Sequence, residues 1–167
     1  VIAAPDRRVR RNRTLTTRSA DETRALAAAL AGVARAGDRI ALVGPLGAGK
    51  TQFAKGFAAG LGVAEVVNSP SFTLMAEYAG RLPLFHQDLY RLAGAAEARE
   101  GGLLDERQDA GVTITEWADR LGERHQEDGL VVRFARLDGD HRSIELVVPA
   151  GGAYDRYLER AGDRTGA

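Results

Sequence analysis

Gly44-Pro45-Leu46-Gly47-Ala48-Gly49-Lys50-Thr51 is the stretch whose reading decides the fold. It fits G-x-x-x-x-G-K-[ST] at every fixed position, and its flanks are the ones that motif requires. Arg39-Ile40-Ala41-Leu42-Val43 reads as a short buried strand, and a helix is expected from Gln52 onward. A strand, a glycine loop and a helix in that order aim several backbone N–H groups into one concavity, at the positive end of the helix dipole. Polyphosphate suits such a concavity. Lys50 is expected to reach the β- and γ-phosphates and Thr51 to offer its hydroxyl to Mg2+. Gly47 and Gly49 keep Cβ atoms out of the path of the phosphates. The nucleotide-binding set so defined runs without a break from Gly44 to Gln52.

Lysine usage points the same way. Lys50 and Lys55 are the only lysines, and every other fixed positive side chain is Arg. Lys is a compact point charge, and a planar guanidinium would not fit the phosphate loop in its place. Lys55, further along the same helix, reads as a solvated charge.

The 167 residues suffice for one domain with a proper core. With 23 basic and 23 acidic side chains, no global field argues for nucleic acid or an anionic membrane. The absence of cysteine removes disulfides, thiolate metal sites and cysteine nucleophiles together. No apolar run approaches the roughly 20 residues of a membrane span, and Val1 to Pro5 is too short for a signal core. The expectation is a cytoplasmic protein with no membrane contact.

Along the chain, residues 1–13 carry Arg7, Arg8, Arg10, Arg11 and Arg13 with little to bury, and read as a disordered basic tail. Leu15 to Thr17 can form a strand. Ser19 to Glu22 matches a capping box, opening a helix to about Ala34. The helix after the phosphate loop presents Phe53, Phe57 and Leu61 on one face and is expected to end at Gly60 and Gly62. Thr73 to Tyr78 and Pro83 to Asp88 read as a hairpin, as do Leu130 to Leu137 and Arg142 to Val148 about Asp138-Gly139. Gly94 to Glu100 reads as a short helix, Val112 to Glu116 as a strand, with a short helix or turn after Trp117. Tyr154 to Arg160 reads as a terminal helix. The domain is thus expected over 14–160, with 161–167 frayed. Hairpins beside a phosphate loop imply an α/β, three-layer fold whose central sheet is mixed and partly parallel.

Hydrolysis or transfer needs acids beside the phosphates, to hold magnesium and orient the attacking group. Asp88 and Glu116 each close a predicted strand, and ligand crevices in α/β sheets lie at such strand ends. Glu116 resembles the acid of a Walker B strand. Asp88, Glu116 and Lys50 are therefore the candidate catalytic groups, and Thr51, Asp88 and Glu116 the candidate metal ligands. His86 reads as a hydrogen-bonded strand residue, and Trp117 as either a core anchor or a platform for the base. Tyr90 and Arg91 either pack and cap or face a partner.

The phosphate loop, Ser69-Pro70-Ser71-Phe72, His86-Gln87-Asp88-Leu89-Tyr90-Arg91 and Glu116-Trp117 occur in that order. Together they strongly resemble the TsaE (YjeE) family, small bacterial ATPases required for N6-threonylcarbamoyladenosine in tRNA. The resemblance runs from about Leu15 to Val148. It implies ATP and Mg2+ as cofactors, with Lys50 and Thr51 on the phosphates and metal. Asp88 and Glu116 would be the acids of hydrolysis, one serving the metal shell and one placing the water. It also implies that Ser69 to Phe72, Ser71 included, form a switch-like loop near the γ-phosphate, and that Trp117 lies beside the nucleotide. Ser71 stands where the family usually has Thr, and Gln87 where an apolar residue is usual. The partners implied are TsaB and TsaD, with no direct tRNA contact specified and weak ATPase activity alone. The competing readings are a small-molecule phosphotransferase, with lid arginines near Arg91 and Arg99, and a nucleotide-dependent adaptor without turnover. A GTPase has little support, since no N-K-x-D or T-K-x-D stretch is present.

Overall fold

A computed structural model of the chain describes residues 10–70, 73–90, 106–118 and 128–163. Among these, seven strands form one sheet: β1 (Arg11–Thr17), β2 (Arg39–Val43), β3 (Met75–Tyr78), β4 (Leu84–Asp88), β5 (Val112–Glu116), β6 (Leu130–Arg136) and β7 (Arg142–Val148). Helices α1 (Ala20–Ala31), α2 (Lys50–Gly60) and α3 (Asp155–Asp163) accompany them. The spatial order is β1-β7-β6-β2-β5-β4-β3. The inner strands β6, β2, β5 and β4 are parallel, the hairpin partners β7 and β3 run antiparallel to them on either side, and β1, antiparallel to β7, shares the direction of the inner strands at the far edge. The mixed sheet expected from the two hairpins is what forms.

Strand alternation sorts the side chains by face. Ile40, Leu42, Ile114, Leu130 and Val132 meet the helices in one core, together with Phe53 and Phe57 of α2 and Tyr157 of α3. Ala41, Val131 and Val147 point the other way, where Ala118 joins them. The helices expected over Gly94 to Glu100 and after Trp117 lie outside the described residues, as do Ser71, Phe72, Arg91 and Arg99.

Local details depart from the sequence reading in physically simple ways. Ser19 caps α1 by accepting from the Glu22 amide at 3.1 Å, but the Glu22 carboxylate reaches past Ser19 to the Arg18 amide at 2.7 Å. Gly62 ends α2 as expected, in the left-handed region at φ +78° just past the Leu61 cap, whereas Gly60 is the last residue within the helix. Gly56 and Gly60 instead let α2 press onto α1. A Cβ on Gly56 would lie 2.2 Å from the Arg24 carbonyl oxygen, and one on Gly60 would lie 2.5 Å from that of Ala28.

The expected tail is also shorter than 1–13. β1 begins at Arg11 and pairs with β7 from Arg11 opposite Val148 to Thr17 opposite Arg142. Arg11 is ion-paired with Asp155, so its charge belongs to the sheet edge rather than to a solvated arm. At the other end α3 runs to Asp163, not Arg160, and seats Tyr157, Leu158 and Ala161 in the core. The first residues of the expected frayed segment are therefore helical.

Candidate functional site

The phosphate loop leaves β2 at Val43 and enters α2 at Lys50. Gly44 has φ +154°, and a Cβ there would lie 2.7 Å from the Phe134 carbonyl oxygen, so the loop starts hard against β6. Gly49 precedes α2 in the left-handed region at φ +109°, and no side chain caps the helix there. That end of α2 presents its first-turn N–H groups to the cleft above it.

The parallel register brings the acids to the same place. Asp88 pairs with Glu116 across β4 and β5, and Glu116 pairs with Leu42 across β5 and β2. Paired residues on parallel strands share a face, so both carboxylates lie on the side of Leu42, where α2 packs. Thr51 on α2 donates its hydroxyl hydrogen to Glu116 Oε1 at 2.8 Å. His86, two residues before Asp88, points the same way and lies 2.7 Å from Glu116 Oε2 through Nε2. Asp88 accepts from the Ser69 hydroxyl on Oδ2 and from the Tyr90 amide on Oδ1 at 3.0 Å.

Lys50 is buried, and its ammonium donates to the carbonyls of Gly44 at 2.6 Å and Pro45 at 2.9 Å. The same group lies 4.1 Å from the centre of the Trp117 ring. Trp117 adopts φ +57°, an uncommon conformation for an aromatic residue that ends β5 abruptly and turns the indole over the loop. Its ring meets that of Tyr90 with centroids 5.0 Å apart. Trp117 is partly exposed, so it is a wall of the cleft and not a core anchor.

The cleft so formed holds about 580 Å3. Of the residues singled out from sequence, Leu46, Gly47, Gly49, Lys50, Thr51, Gln52, Asp88, Glu116 and Trp117 line it, with Ser69 and Tyr90. Gly44, Pro45 and Ala48 support the loop from behind: Gly44 on Phe134, Pro45 through its carbonyl, Ala48 in the core. Arg142 also reaches the loop, with a guanidinium nitrogen 3.4 Å from the Gly47 carbonyl oxygen. No sequence motif marked Arg142; the hairpin between β6 and β7 was the only hint that a remote cation would come back to the loop.

The donor set suits Mg2+. A hydroxyl and two carboxylates are hard oxygen ligands, and Mg2+ takes one or two carboxylates while sharing the phosphates of its nucleotide. Among the described residues no group of three or more His, Cys, Asp or Glu forms a cage for a metal by itself. The arrangement fits a cation that arrives with a phosphate chain.

A family model described as threonylcarbamoyl adenosine biosynthesis protein TsaE matches residues 17–144. The chain belongs to the TsaE family. It is 41% identical over 140 residues to the tRNA threonylcarbamoyladenosine biosynthesis protein TsaE of Bacillus subtilis, covering 83% of this chain and 87% of that one. The TsaE protein of Treponema pallidum is 37% identical over 130 residues, covering 78% of this chain and 96% of its own length. Among solved structures, the crystal structure of YdiB from Bacillus subtilis superposes with a TM-score of 0.75 at 34% identity, covering 94% of this chain and 98% of the other. The TsaE match spans all the cleft residues named above, from Leu46 to Trp117. Among the described residues no helix is long and apolar enough to cross a membrane.

Proposed function

We propose that this TsaE-family protein binds ATP with Mg2+ in the cleft and hydrolyses it in support of tRNA threonylcarbamoyladenosine formation, acting on TsaB and TsaD. The observation that carries the reading is the 2.8 Å bond between Thr51 and Glu116. It joins the last residue of the phosphate-loop motif to a strand-end acid, at the point where a nucleotide-bound cation needs oxygen ligands. Lys50 and the first-turn amides of α2 take the phosphates. Thr51, Glu116 and Asp88 are the groups that would hold Mg2+, which would neutralise the charge developing on the transferred phosphoryl group. One of the two acids would also orient the attacking water. Trp117 and Tyr90 offer aromatic surface at the mouth of the cleft, where the base can stack. Such a role belongs in the cytoplasm.

The test is steady-state phosphate release with TsaB and TsaD present. The mixture is expected to exceed the sum of its separate components by at least about tenfold, or about 1.4 kcal/mol of barrier. Glu116→Gln is expected to keep Mg2+-free ATP affinity within about threefold and to lower hydrolysis at least about tenfold, since shape is preserved while the charge is lost. Additive rates would rule out activation by these partners. Wild-type turnover by Glu116→Gln would reduce Glu116 to a structural role, and binding without any turnover would favour a nucleotide-dependent adaptor.

A further inference from the structure

We propose that His86 is the positioning residue for Glu116, holding one carboxylate oxygen so that the other stays aimed at Thr51 and the phosphate loop. The inference rests on the magnesium-ATP reading of the cleft. His86 is fully buried on β4, opposite Ile114 of β5, and Glu116 lies one diagonal step further along the same face. The two side chains meet there at 2.7 Å, Nε2 to Oε2.

The hydrogen bonding determines which ring nitrogen carries the proton. A carboxylate at 2.7 Å from Nε2 calls for a donor, whereas His86 Nδ1 is buried with no hydrogen-bond partner among the described residues. An N–H at Nδ1 would be a buried donor with no acceptor, while a bare lone pair is the cheaper orphan. A proton on Nε2 satisfies both constraints. A histidine kept only to fill the core gains nothing from this one-sided arrangement; Ile114 fills the neighbouring position without any polar atom.

The consequence falls on Glu116. The terminal torsion of a glutamate side chain is soft, with a broad distribution of angles. Two bonds fix it here: Thr51 holds Oε1 and His86 holds Oε2. A cation taking a lone pair of the Thr51 hydroxyl would leave its hydrogen on Oε1, so the carboxylate plane keeps its register only while His86 also holds Oε2. Partners of this kind, one bond behind a ligand, typically set metal affinity or activity by 10- to 100-fold. His86 itself does not line the cleft.

The experiment measures ATP affinity by calorimetry with and without Mg2+, and reads the ratio of the two. His86→Phe keeps the volume and loses the donor; it is expected to reduce the Mg2+-dependent gain in affinity by about tenfold while leaving Mg2+-free affinity within about twofold. His86→Gln supplies an amide donor and is expected to restore the gain to within about threefold of wild type. In a Glu116→Gln background, His86→Phe is expected to add nothing, because both changes act through one carboxylate. A wild-type ratio for His86→Phe, or a loss that adds in the Glu116→Gln background, overturns the proposal. Nitrogen NMR of the unliganded wild-type protein reads the tautomer directly, whatever the variants do. An Nε2–H imidazole supports the positioning role, and an Nδ1–H imidazole overturns it alone. A wild-type protein whose ATP affinity ignores Mg2+ overturns the functional reading, and this proposal with it.

Discussion

The parallel strands carry a buried acid near each end, and the two are held in opposite ways. Before β2, one oxygen of Asp38 accepts from the Arg35 amide at 2.9 Å, the Tyr157 hydroxyl at 2.5 Å and the Arg156 guanidinium. Burial, and then the hydrogen bond to Asp38, raise the Tyr157 hydroxyl far above the ordinary phenol range, so it remains a donor at any physiological pH. Beyond the other end, Glu116 is met by a hydroxyl and an imidazole. Asp38 faces a permanent cation from a helix more than a hundred residues away, and its charge is settled within the chain. Glu116 is oriented by a hydroxyl and an imidazole N–H, the hydroxyl from the threonine of the phosphate loop, and no arginine or lysine among the described residues is ion-paired with it. The first acid ties a helix to the sheet, and the second lies open to the cleft for the role proposed above.

The largest effect is expected where the first kind of acid is removed. Asp38→Ala leaves the partly buried Arg156 guanidinium without its carboxylate and the buried Tyr157 hydroxyl without its acceptor, and should lower unfolding free energy by about 3 kcal/mol. Denaturant titration measures it, with ATP affinity of the folded protein unchanged. A loss below about 1 kcal/mol would mean that the Asp38 cluster is not what ties α3 to the sheet.

Lys50→Ala sharpens the contrast from the other side. It should weaken ATP binding at least about a hundredfold, or about 2.7 kcal/mol, while the unfolding midpoint moves by no more than about 3 °C. Calorimetry and thermal melts give the two numbers, and unchanged affinity in a folded variant would sink the phosphate-binding role. The smallest effect concerns Trp117, the chain's single tryptophan. Trp117→Phe weakens the contact of the ring with Lys50 and should change ATP affinity by less than about tenfold, since such contacts contribute roughly 0.5–2 kcal/mol. In the wild type, ATP should draw Lys50 from the indole and alter its emission; an emission that ignores ATP would contradict that movement.

The cleft's lining was legible because its signals are local. The glycines, Lys50 and Thr51 are adjacent in sequence, and the acids close short strands, Val112–Glu116 with the bounds as read and Leu84–Asp88 one residue shorter than read. What stayed hidden depends on pairings that no local pattern encodes. His86 acquires its meaning from a diagonal step between β4 and β5. Arg11 reads as tail until β1 is seen to pair with β7 and Asp155 to answer its charge. Gly60 reads as a stop signal because glycine ends many helices, yet here it serves a helix crossing whose partner, Ala28, lies more than thirty residues earlier. The left-handed turn at Trp117 has no glycine or asparagine to announce it.

That crossing has a mechanical consequence. With Gly56 and Gly60 of α2 against the backbone of Arg24 and Ala28, no flexible side chain separates the two helices there, and α1 in turn packs on α3 and the sheet. Like the fixed jaw of a vice, this block offers little compliance, so the start of α2 is a poor place for a bound nucleotide to do work on the protein. Movement falls to the opposite jaw, where Ser69, Tyr90 and Trp117 border the cleft from loop positions. Structures of different nucleotide states therefore have a natural reference frame: superposed on α1, α2 and β2, they will report the travel of the moving jaw.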